Sequence, residues 1–527
     1  MRFFVALLAL AVSATGQPNY DLLIRDGRII DGAGGPWYRG DVGIRGETIV
    51  AMGDLHNASP TVTIDAKGLI IAPGFIDIHT HSRRGIFAVP TAENYVRQGV
   101  TTLMEGNDGS SPLPLAPFLA KVAGLHPAVN WGTFVGQGSI RQEVIGTVNR
   151  KATAEEIAKM CGLARQAMRE GAFGLSTGLY YVPGNYTPTE EVIEIARVIG
   201  QMGGMHISHM RDEAAGVLDG VRETIRIGEE GHLPTEITHH KIMGAANWGK
   251  SEETLRLVEE ARARGVDVTI DQYPYTASAT GIITLIPQWA QEGGQKAMVN
   301  RLHEPEARAR VKQTIIDKIR NDRGGGDPRN VVMSSCGFDS KLAGKNLAQI
   351  TESRGMAPSL ENAAETTMWI VEQGGCSAIF HSIDEKDVER IMQYPFTMIG
   401  SDGEVPVFGV DAPHPRSYGT FARVLGRYVR ERHTLTLEDA VHRMTGMTAA
   451  RLKLWDRGIL RPGMKADVVV FDPETVGDRA TFEQPHQYAV GVTLVVVNGK
   501  PILKDGKITG ERPGRVLYGP STVAKAH

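Results

Sequence analysis

Pro73-Gly74-Phe75-Ile76-Asp77-Ile78-His79-Thr80-His81 is the stretch that decides how this chain is read. It is a short apolar run closing on two histidines. Side chains alternate faces along a strand, so His79 and His81 emerge on one face. Two imidazoles so placed can hold one divalent cation. Outward from this stretch, β-rich runs recur at residues 100–104, 174–176, 205–208, 236–238, 266–270, 378–380 and 397–399. Helical patterns fall between them, at 154–169, 189–200, 252–264 and 387–393. Strand-helix alternation over this length predicts an α/β fold, most simply a (β/α)8 TIM-like barrel over residues 73–453. Residues 283–332 break the rhythm with charged helical and Gly-rich sequence and are expected to be an inserted α/β segment.

The later runs end in polar residues as well. Met205-His206-Ile207-Ser208-His209 closes one, Glu236-Ile237-Thr238-His239-His240-Lys241 another, and Ile399-Gly400-Ser401-Asp402-Gly403 a third. Each is weak evidence alone, because Asp before Gly is ordinarily a turn residue. Together they set several histidines and one carboxylate at the carboxyl ends of successive strands, where barrel enzymes build their sites. A shared metal accounts for the coincidence.

The two ends of the chain read differently. Residues 17–72 and 454–527 alternate short apolar runs with turn signals such as Asp26-Gly27 and Asn498-Gly499. They are expected to pair into one small β-sandwich domain. Residues 1–16 read as a signal peptide: Arg2, an apolar run at 3–12 too short to span a bilayer, then small residues. Export to the periplasm or outside the cell is therefore expected, with no other membrane span. Cys161, Cys336 and Cys376 are odd in number and far apart, so no disulfide framework is expected. A formal charge of -3 gives no basic excess for nucleic acid. The partner expected is a small molecule, and a homo-oligomer is compatible with this composition.

With these motifs in hand, the chain resembles the N-acyl-D-amino-acid deacylase (D-aminoacylase) branch of the amidohydrolase superfamily over nearly its whole mature length. The matching stretches are 74–81, Gly99-Val100-Thr101-Thr102, Gly174-Leu175-Ser176-Thr177-Gly178-Leu179, His209-Met210-Arg211-Asp212-Glu213, His239-His240-Lys241, 271–275, Ser401-Asp402-Gly403 and His414-Pro415-Arg416. The run at 458–467 is general to the superfamily. The resemblance implies one or two divalent ions, with zinc the expected metal. His79 and His81 resemble the ligands of the more exposed position, and His209 and His239 those of the tighter one. Asp402 resembles the carboxylate that takes a proton from water and returns it to the leaving nitrogen. Tyr181, Lys241, Tyr273 and Arg416 match positions that hold the substrate's free carboxylate. Ala279 falls where the family has a serine, with Ser278 and Thr280 beside it.

One departure bears on the metal. Where the family carries a cysteine ligand, this chain reads Glu105-Gly106-Asn107-Asp108-Gly109. Asp108 stands at the cysteine position and Glu105 is a second new carboxylate. Either could replace the thiolate; Glu105, on the more rigid strand, is the preferred reading. An oxygen ligand is harder than sulfur and shifts metal preference. The expected reaction is hydrolysis of a linear amide in N-acyl-D-amino acids or small D-terminal dipeptides. The alternative is a cyclic-amide hydrolase of hydantoinase or dihydroorotase type. The absence of lysine from residues 173–182, where those relatives carry a carbamylated one, speaks against it.

Overall fold

The computed structural model describes residues 20–522; the expected signal peptide at 1–16 lies outside them. Eight parallel strands form the barrel: Phe75–Asp77, Val100–Glu105, Asn130–Thr133, Gly174–Gly178, Met205–His209, Thr235–Ile237, Val268–Gln272 and Thr397–Ile399. Phe134 alone separates the third from the Val135–Gly136 pair that registers with the fourth. Closure comes from extensions of the first and eighth strands: Thr80 and His81 pair in parallel with Gly403 and Glu404. The Asp402 amide also donates to the His79 carbonyl at 2.8 Å. His79, His81 and Asp402 are thus brought together by the same backbone bonds that close the barrel.

The outer helices form because their sequences stop and start cleanly. Ala154–Glu170 opens on Thr153, whose hydroxyl caps the Glu156 amide while the Glu156 carboxylate returns to the Thr153 amide. It ends at Gly171.

The two ends of the chain do share one sheet. Ile70–Pro73 pairs antiparallel with Val468–Phe471, joining five N-terminal to four C-terminal strands. Hydrogen bonding makes this one continuous nine-stranded sheet in place of two separate layers. It curls over a common core in which Ile24, Val42 and Ile44 meet Val468, Val470 and Val496. Phe75, in the first barrel strand, fastens the sheet to the barrel, its ring 5.8 Å from Phe421 and 6.2 Å from Phe471. Loss of such a buried ring costs about 3–5 kcal/mol.

The insertion is larger than the sequence pattern suggests. It runs from Ala277–Gly281 to Cys376–His381, which with Val331–Cys336 make a three-stranded antiparallel sheet. Helices pack on it around a separate core that includes Leu285, Val311, Ile315, Met368 and Phe380. Residues 378–380 are therefore a strand of this insertion and not of the barrel; a short apolar run reads alike in either sheet. Cys336 and Cys376 are register partners there and form a disulfide, Cα–Cα 4.4 Å. This corrects the expectation from cysteine spacing, since antiparallel pairing closes a separation of 40 residues. Cys161 is the free cysteine. No helix among the described residues is long and apolar enough to cross a membrane.

Candidate metal centre

Six side chains converge over the carboxyl end of the barrel. His79, His81, Asp108 and Asp402 form one group whose ligand atoms all lie within 4.8 Å of one another. Asp108, His209 and His239 form a second. Asp108 belongs to both. Its Oδ1 lies 3.5 Å from His79 Nε2, 3.3 Å from His239 Nε2 and 3.7 Å from His209 Nδ1, while its Oδ2 lies 3.3 Å from His81 Nε2.

The local sequence explains how Asp108 arrives there. Gly106, Asp108 and Gly109 all take positive φ, at 81°, 55° and 74°. A side chain on Gly106 would meet the Phe134 carbonyl at 2.3 Å. This tight loop turns Asp108 inward over the barrel axis, and aspartate tolerates the left-handed region better than most residues.

Glu105 does not join the group, which corrects the preference for it. The Glu105 carboxylate accepts from the Arg83 amide at 2.8 Å and from Ser82 Oγ at 3.3 Å. These bonds fix the segment after His81.

The arrangement fits a divalent cation. His79 Nε2 and Asp108 Oδ1 are buried without a hydrogen-bond partner. Buried polar groups are ordinarily satisfied, so convergent orphans fit the coordination of a cation. Electrostatics point the same way. Burial pulls His79 down to about 4, leaving a neutral ring with a lone pair at neutral pH. Burial and Lys241 pull His239 down too, yet Asp108 and Glu213 outweigh them and raise it to about 10. Burial would raise Asp108 and Asp402, but their cationic neighbours hold both well below the usual carboxylate range. Two buried carboxylates thus demand positive charge, which His81 and His239 supply by holding protons.

Asp402 contacts His81 Nε2 at 2.9 Å through Oδ1 and Arg416 Nη1 at 2.7 Å through Oδ2. Beside it opens a cavity of about 400 Å³, whose walls include His81, Asp108, Tyr181, Asp402 and Arg416. Tyr181 donates to or accepts from Thr280 Oγ1 at 3.2 Å. Tyr273 lies beneath, its ring 4.8 Å from the Arg416 guanidinium and 5.6 Å from Lys241 Nζ. Lys241 does not reach the cavity wall. The sixth strand ends at Ile237, so alternation no longer applies by residue 241. Its ammonium turns back to Glu213 Oε1 at 2.5 Å and the His239 carbonyl at 2.9 Å.

Sequence reasoning assigned no role to three buried acids that brace these residues. Asp77 accepts from the His79 amide at 3.1 Å and the Ser401 amide at 2.9 Å. Asp271 accepts from the His239 amide at 2.8 Å and approaches His79 Nδ1 at 3.7 Å. Glu213 faces His239 Nδ1 at 3.2 Å. Each stands within the quoted motifs; for Asp77 and Asp271 the available signal was an acid inside a strand.

A closed barrel with this centre at its carboxyl end defines a metal-dependent hydrolase of the amidohydrolase type. The model of the Amidohydrolase family matches residues 62–503. The D-aminoacylase of Alcaligenes xylosoxydans xylosoxydans is 38% identical, with 96% of this chain and 99% of that protein covered. The N-acyl-D-glutamate deacylase of the same organism is 37% identical over 97% of this chain and 99% of its own length. Among solved structures, D-aminoacylase superposes with a TM-score of 0.81 at 37% identity, covering 95% of this chain and all of that one. N-acyl-D-glutamate deacylase from Bordetella bronchiseptica, in complex with zinc and a phosphonate inhibitor, gives 0.81 at 34%, covering 95% and 99%. The chain belongs to the D-aminoacylase family of amidohydrolases, and it takes one or two divalent metal ions. A D-hydantoinase shares the fold alone, at 16% identity and a TM-score of 0.57.

Proposed function

We propose that this enzyme hydrolyses the linear amide of N-acyl-D-amino acids or small D-terminal dipeptides, with zinc as its metal. The observation that carries this reading is Asp402, held between His81 and the Arg416 guanidinium on the wall of the cavity. Relatives 35–38% identical over 94–97% of the chain act, by name, on such substrates. His79, His81, Asp108, His209 and His239 would hold the ions. When bound, the metal supplies acidification of water and polarisation of the scissile carbonyl. Asp402 Oδ1 accepts the proton of the attacking water and returns it to the leaving nitrogen, a single carboxylate serving as base and then acid. Arg416 Nη1 keeps Asp402 ionised and oriented. The remaining Arg416 N–H groups, with the Tyr181 hydroxyl, are assigned to the substrate carboxylate. Tyr273 packs beneath Arg416 and sets its height. Export completes the proposal: a disulfide is at home in an oxidising compartment.

The test is a panel of N-acyl-D- and N-acyl-L-amino acids, their carboxyl amides, dipeptides ending in a D-residue and five- and six-membered cyclic amides, assayed with metal content measured alongside. Free N-acyl-D-acids are expected to turn over best. Preferential opening of the cyclic amides, or equal turnover of acid and amide, would reject the reading.

A further inference from the structure

The two histidines of the second metal group turn opposite ends of their rings inward. His209 presents Nδ1 to the centre and His239 presents Nε2, the two nitrogens standing 2.7 Å apart. A cation held by both requires both to be bare, which places the ring hydrogens on the outward nitrogens, His209 Nε2 and His239 Nδ1. One buried carboxylate faces both. Glu213 is 3% exposed, with Oε1 3.2 Å from His239 Nδ1 and Oε2 3.8 Å from His209 Nε2. His209 Nε2 is buried with no hydrogen-bond partner, and the Glu213 carboxylate is the charge it faces.

Lys241 opposes this arrangement. Its ammonium lies 2.8 Å from the same His239 Nδ1. An ammonium can only donate, so that contact needs a bare Nδ1 and moves the ring hydrogen inward onto Nε2, where it blocks a ligand bond. His239 Nδ1 therefore serves one neighbour at a time: it donates to Glu213 or accepts from Lys241.

We propose that Glu213 is the positioning residue of this centre. By accepting from His239 Nδ1 at 3.2 Å, and by setting its second oxygen 3.8 Å from His209 Nε2, it favours ring hydrogens on the outward side and leaves the inward lone pairs of His209 and His239 free for metal. Lys241 balances the buried charge of Glu213. The assignment rests on the reading of Asp108, His209 and His239 as a metal group. Lys241 was expected from family position to hold the substrate carboxylate; in this structure its ammonium is engaged by Glu213 and the His239 carbonyl.

The test is zinc retention by the full-length enzyme against graded chelator, with circular dichroism to monitor folding. Glu213→Gln is expected to release metal at a chelator activity about 10- to 100-fold lower than wild type, the range set by such outer partners. Lys241→Met is expected to retain metal. The double variant Glu213→Gln/Lys241→Met is expected to recover most of the loss, since the competing donor is gone. Glu213→Asp, whose carboxylate falls short of His239 Nδ1, is expected to be intermediate and decides the matter if Glu213→Gln does not fold. Wild-type retention in both Glu213 variants, or a double variant no better than Glu213→Gln, would overturn the assignment. Asp108→Ala separates the two readings: if it keeps full metal content, the metal group itself is wrong, whereas metal loss there with unaffected Glu213 variants rejects Glu213 alone.

Discussion

Asp108, His239 and Asp402 all sit in left-handed backbone, at φ of 55°, 35° and 51°. Such conformations cost on the order of 1–3 kcal/mol each and persist where surrounding bonds impose them. Here the Asp402 amide is tied to the His79 carbonyl and the His239 amide to Asp271. Asparagine tolerates the same backbone region, so Asp402→Asn is expected to keep fold and metal while turnover falls roughly 100- to 10,000-fold. Near-normal turnover would remove Asp402 from proton transfer. At Asp108 the expected change concerns ion choice. Asp108→Cys puts the family's softer ligand at the shared position and should raise selectivity for zinc over manganese in a competition assay, because thiolates prefer softer metals. Unchanged selectivity would mean that Asp108 is not a ligand. The histidines and Asp402 were legible because each ends an apolar run. Whether Glu105 or Asp108 entered the centre was not, since it depends on the turn made by Gly106 and Gly109 and not on distance along the chain.

At the scale of the strand, His206 shows what the outward face of the barrel does. It lies on the same strand as His209, its ring nitrogens reaching the two neighbouring strands at 2.9 Å from Thr177 Oγ1 and 2.8 Å from Thr235 Oγ1. Burial first, and Arg451 second, lower it to about 3. The unfolded chain protonates this histidine near pH 6.5, whereas the folded chain resists until about pH 3. Between those values the unfolded state binds the extra proton. The stabilisation is therefore complete above about pH 6.5 and is lost as pH falls, by about 1.4 kcal/mol per unit. Melting temperature should drop on acidification over this window, and His206→Gln should flatten that limb. Parallel acid limbs for the two proteins would contradict the argument. Period-two alternation and helix caps made most elements legible. The 378–380 strand was misplaced because local pattern does not say which sheet receives it, and the disulfide was missed because it follows from that pairing.

At the scale of the molecule, the insertion matters through what it lends to the cavity. Ser334 and Ser377, on strands held together by Cys336–Cys376, lie on the cavity wall beside Ala279 and Thr280. Closing a loop of about 40 residues stabilises a fold by about 3–4 kcal/mol on a chain-entropy estimate. Cys336→Ser/Cys376→Ser should loosen the insertion before the barrel, seen as an earlier separate melting step, with KM rising more than kcat falls. A single unshifted transition would show that the insertion does not depend on the bond. Strands from both ends of the chain do come together, but their continuity as one sheet was hidden, since sequence shows strands and not how they join.

The shared sheet has a consequence for synthesis. Ile70–Pro73 stands beside Val468–Phe471, so an edge completed by residue 73 waits for nearly four hundred more residues before its neighbour exists. Residues near the end also run along the third barrel strand, where the Trp131 amide donates to the Arg515 carbonyl and the Leu517 amide to the Trp131 carbonyl. The molecule cannot be finished in order of emergence from the ribosome. A nascent chain stalled before residue 468 would hold an open apolar seam along Ile70, Ile71 and Ala72, a natural point of grip for a chaperone and the first place such a fragment would stick to another.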